Sequence, residues 1–109
     1  MARYGAETSL PPRRVLRLAR EFFGPESDWG LALGSDSLTA IGFHGAGGTV
    51  EVSASPRVGT PGITDVTILS REFDPAVEEF LGHLARAGHQ PGLVRRTIRR
   101  IFPRQRGHT

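Results

Sequence analysis

The sequence predicts an α+β fold, a two-layer sandwich with helices on one face of a four-stranded antiparallel meander, in the order α-β-β-β-β-α-α. Two observations carry that expectation. Apolar residues recur at helical spacing near both ends of the chain and alternate every second residue between them. The breaks between the alternating stretches are short and rich in glycine and serine, as a series of hairpins requires. At 109 residues, the chain has material for one domain with one core.

Residues 1–9 read as a flexible leader, and residues 10–88 as the core domain. Pro11 and Pro12 suit a helix's first turn, where amide donors have no partner within the helix. From Arg13 to Phe23, the residues Val15, Leu18, Ala19 and Phe22 form a core-facing stripe, and Gly24-Pro25 stops the helix. Trp29, Leu31 and Leu33 then alternate as a first strand, with a turn expected over Gly34 to Ser37. Thr39, Ile41 and Phe43 give a second strand. The glycine cluster Gly45, Gly47 and Gly48 gives a hairpin turn, and Val50, Val52 and Ala54 a third strand. A loop from Ser55 to Gly62 leads to a fourth strand near Ile63 to Ser70, with Val66 and Ile68 inward. Asp74 is expected as the N-cap of the next helix, with Pro75 at its first position. Val77, Phe80, Leu81 and Leu84 form its core stripe, and Gly88 is expected as a left-handed stop. Residues 89–109 read as a basic C-terminal helix and tail, with Val94, Ile98, Ile101 and Phe102 on the helix's apolar side.

All 14 basic residues are arginine, and the chain has no cysteine. A Schiff-base lysine, a P-loop lysine, a disulfide and a thiolate zinc site are thereby excluded. The net charge of +3 conceals a division. Residues 1–88 hold eight arginines against eleven carboxylates, a net of −3. Residues 89–109 hold six arginines and no carboxylate, a net of +6. No apolar run approaches the ~20 residues of a membrane span. The stretch MARYGAETSL also lacks the apolar segment of a signal peptide. A cytoplasmic protein without a transmembrane segment is expected.

The candidate site is the arginine set Arg95, Arg96, Arg99, Arg100, Arg104 and Arg106. Guanidinium groups spaced by one, three and four residues line one helix flank and match phosphate geometry. RNA or DNA, held weakly and without sequence preference, is the expected partner. The same pattern fits a solvated helix face whose apolar side closes the core, a membrane-surface helix or a site for an acidic protein. The glycine cluster joins two strands and opens no helix, so it is read as a turn and not a phosphate loop. His44, His83, His89 and His108 have no ligand spacing, and no metal or cofactor is expected. Glu78 and Glu79 point to different sides of a helix. Glu51 and Asp65 are carboxylates that could approach across strands. No nucleophile, base and anion stabiliser form an ordered set, so the chain reads as a non-enzymatic binding module. The alternative is a ligand-binding or self-associating scaffold. In it Trp29, Phe43 and Phe80 would line a pocket, or Leu38, Ala40 and Leu69 on the open sheet face would join two copies.

Overall fold

The computed structural model describes residues 1–88. The fold is α+β, and its sheet has five antiparallel strands. The chain runs β1 (Ala2–Thr8), α1 (Pro12–Phe23), β2 (Ala32–Asp36), β3 (Ala40–Gly45), β4 (Gly48–Pro56), β5 (Thr64–Arg71) and α2 (Asp74–Ala87). In space the strands lie in the order β1-β5-β4-β3-β2. Four of them form the expected meander. The fifth is the segment read as a flexible leader, which pairs with β5 from Ala2 opposite Ser70 to Thr8 opposite Thr64. Ala2, Tyr4, Ala6 and Thr8 point into the core, while Arg3, Gly5 and Glu7 point out. This alternation is strand-like, but it is built from small residues around one tyrosine, so its apolar signal is weak. The expected third helix lies outside the described residues.

Both helices pack on the same face of the sheet, α1 over β3 and β4 and α2 over β1 and β5. The core between the layers joins Tyr4, Ile41, Phe43, Val50, Val52, Val66 and Ile68 from the sheet to Val15, Leu16, Ala19, Phe23, Val77, Phe80, Leu81 and Leu84 from the helices. Phe23 lies at its centre, with ring centroids 5.6 Å from Phe43 and 5.3 Å from Phe80. The buried stripe of α1 is rotated from the expected one. Leu16 and Phe23 are buried, whereas Leu18 and Phe22 are half-buried at the margin. Apolar residues at 15, 16, 18, 19, 22 and 23 span an arc too wide for spacing alone to orient.

The first hairpin differs from its expected form. Gly34, Ser35 and Asp36 belong to β2, and the register shifts between Leu33 and Ser35 as one extra residue enters the strand. The turn falls instead on Ser37 to Thr39. There the Ser37 amide donates to the Ala40 carbonyl at 2.9 Å, and the Ser37 hydroxyl accepts from the amides of Thr39 and Ala40 at 3.3 and 3.1 Å. Trp29 lies before the strand, 38% exposed. The second hairpin agrees with its reading: Gly45 opposes Gly48, and Ala46 and Gly47 take φ of 46° and 81°. Two successive positive values identify a type I′ turn, whose twist matches the flanking strands.

Two end signals of α2 also change. Asp74 is already helical, and its N-cap is Phe73, which has no capping side-chain bond. Asp74 therefore acts through its charge in the first turn, beside the positive end of the helix dipole. Gly88 is right-handed, at φ −69°, because its amide continues the helical pattern to the Leu84 carbonyl at 3.2 Å.

Candidate functional site

Arg95, Arg96, Arg99, Arg100, Arg104 and Arg106, with His89 and His108, lie outside the described residues. What the structure supplies is the point from which their segment departs. Gly88 ends α2, and its carbonyl accepts from the Ser9 hydroxyl at 3.5 Å. The segment thus starts beside the connection between β1 and α1. Within the first two turns of α1, Arg13, Arg14 and Arg17 are exposed and form no ion pair among the described residues. Arg20, farther along, sits 3.6 Å from Asp36.

A groove opens between the helices, lined by Glu21 and Phe22 of α1, Ser27, Asp28 and Trp29 of the following loop, and Glu79 and Arg86 of α2. Ser27 shapes its wall. The Ser27 hydroxyl donates to the Gly24 carbonyl at 2.7 Å and accepts from the amides of Trp29 and Gly30. The Trp29 ring meets Phe73 edge-on with centroids 6.3 Å apart. Three carboxylates against one guanidinium make this groove acidic, so phosphate is repelled from it. Phe43 and Phe80, which the scaffold reading placed around a pocket with Trp29, are fully buried core residues.

Neither of the described helices lies on the other face of the sheet. Its outward residues include Arg3, Glu7, Glu51, Asp65 and Arg71 among small and polar side chains. Leu69 is half-buried between Glu51 and Arg3, and Leu38 sits away on the β2–β3 turn, 88% exposed. The expected apolar patch is thus divided by charge. A shallow depression lies where Gly34 and Gly42 carry no side chain, bordered by Ser35, His44, Glu51 and Leu69.

The carboxylates that meet are not Glu51 and Asp65, which occupy different cross-strand rows. Glu7 lies opposite Asp65, and Arg57 joins both. The Arg57 guanidinium donates to Glu7 at 2.5 Å and to Asp65 at 2.6 and 3.3 Å. Hydrogen bonds to Asp65 first, then to Glu7, raise the Arg57 pKa above its ordinary value. The cluster ties the β4–β5 loop to β1. Sequence reasoning missed it because Glu7 fell in the segment read as a leader. His44 is on the open sheet face and His83 on the helix layer against Phe22, so these two do not converge. No group of three metal-ligating side chains occurs among the described residues. No helix among them is long and apolar enough to cross a membrane. Comparisons with protein-family models, curated proteins and solved structures gave no match.

Proposed function

We propose that the protein is a small cytoplasmic, non-enzymatic binding module whose segment 89–109 holds a polyanion, RNA or DNA, through Arg95, Arg96, Arg99, Arg100, Arg104 and Arg106. The observation that carries this reading is the division of charge: six arginines without a carboxylate follow a domain of net −3. The departure point at Gly88 adds support, because Arg13, Arg14 and Arg17 on the neighbouring helix form no ion pair among the described residues. Guanidinium groups on both sides of that point would extend one phosphate-binding surface. The sheet face offers no pair of aromatics for stacking bases, so contacts are with the backbone and carry no sequence preference. The test is a titration of labelled RNA and duplex DNA with the full chain at low and moderate salt. Wild type should bind both at roughly micromolar strength and weaken steeply with salt. Arg95, Arg96, Arg99 and Arg100 changed together to Gln should lose most of that binding while circular dichroism stays unchanged. If neither nucleic acid binds wild type at low salt, this reading fails.

A further inference from the structure

Among the described residues β1 and β2 are the edges of the sheet, and they are built differently. β2, at one edge, is five residues long and interrupted by its bulge. β1, at the other, is seven residues in unbroken register, with no proline and no bulge, and its two charges, Arg3 and Glu7, are of opposite sign. Bulges, proline and lysine are the usual devices that keep a bare edge from adding another strand. From this edge we infer that β1 pairs antiparallel with β1 of a second copy of this chain, about a twofold axis at Gly5.

The residues of β1 select that register. In a twofold antiparallel pair centred on Gly5, Ala2 faces Thr8 of the second copy, Arg3 faces Glu7, Tyr4 faces Ala6, and the same contacts repeat in reverse. All seven residues are used, and two opposite-charge pairs form on the open face. Arg3 has no ion-pair partner among the described residues. Glu7 gives Oε2 to Arg57, which leaves Oε1 for the arriving guanidinium. On the inner side Tyr4 and Ala6 are already buried in their own chain's core, so the outward charges choose the register. Shifting one copy by a single residue would pair outward with inward side chains. Shifting by two residues loses both charge pairs. Shifting by four sets Arg3 against Arg3, or Glu7 against Glu7. The sequence of β1 therefore favours one register and penalises its neighbours. The two described sheets would join into a single sheet of ten strands, with α1 and α2 of both copies on one side. This association uses an edge and not the charged open face.

A chain without cysteine makes the test direct. In the full-length protein, Gly5→Cys places two thiols across the axis, and mild oxidation should give a dimer of twice 11.8 kDa that reductant reverses. Thr67→Cys, opposite Gly5 but one strand inward on the same face, should still associate but should not cross-link. If Thr67→Cys cross-links as readily, the copies meet through the face and the edge proposal is overturned. Sedimentation equilibrium supplies a second test that needs no cysteine. Arg3→Glu sets two like charges opposite each other and should weaken self-association at least about tenfold. Arg71→Glu changes the charge equally, off the edge, and should shift it less than about twofold. A wild type that is monomeric at about 100 μM, or equal effects of the two substitutions, overturns the proposal.

Discussion

Phe80 joins the two helices: it meets Phe23 at 5.3 Å and Phe22 at 5.5 Å, and it is fully buried. Truncating it removes contacts that neither helix can recover by a small shift. Phe80→Ala should therefore lower the free energy of unfolding by about 3–5 kcal/mol in a urea titration. Phe22→Ala should cost less, because one side of that ring already faces water in the helix groove. The sequence marks Phe80 well, since its neighbours Val77, Leu81 and Leu84 share one narrow stripe. It misplaces Phe22 and Trp29, whose apolar character is spent on a groove wall. Gly48 presents the opposite case. A Cβ there would collide with the Arg71 carbonyl oxygen and lie 2.8 Å from the Phe73 ring. Backbone cannot swing aside as a side-chain tip can, so Gly48→Ala should destabilise by about 1–3 kcal/mol in the same titration.

The β3–β4 hairpin shows what an element requires beyond its apolar pattern. Its turn asks for positive φ at both central positions, and Ala46 meets that demand at 46° despite its Cβ. Asn tolerates this conformation better, and Asn-Gly is the favoured pair for the turn. Ala46→Asn should raise the urea midpoint, corresponding to roughly 0.5–1 kcal/mol, with the slope unchanged. A loss of stability would show that the turn is not of this type. This hairpin is readable because glycine spacing and strand alternation agree. β2 is not, because its bulge reverses the parity of side chains after Leu33 and a serine, not a glycine, makes the turn. β1 escapes notice because its core positions are two alanines, a tyrosine and a threonine, and its partner β5 is more than fifty residues away. No local pattern reports such a pairing, and with β1 went Glu7 and the whole Arg57 cluster.

At the scale of the whole molecule the division of charge sets the behaviour with salt. A polyanion held by arginine releases one condensed counterion for each phosphate neutralised, so the logarithm of affinity falls linearly with the logarithm of salt concentration. If the six arginines of segment 89–109 each meet a phosphate, the slope should be about −5 on duplex DNA and about −4 on a single strand. With Arg95, Arg96, Arg99 and Arg100 changed to Gln, only Arg104 and Arg106 remain in the segment, and the slope should relax to about −2 on duplex DNA. Should Arg13, Arg14 and Arg17 of α1 join the surface, the wild-type slope steepens to about −8, and replacing those three restores about −5. The acidic groove of Glu21, Asp28 and Glu79 repels phosphate and takes no counterion-releasing contact, so Glu79→Gln should leave the slope where it was. Fluorescence anisotropy across moderate salt concentrations reads all of these slopes on the full chain. A slope that stays the same in the four-Gln variant would mean that the domain, not the segment, holds the nucleic acid.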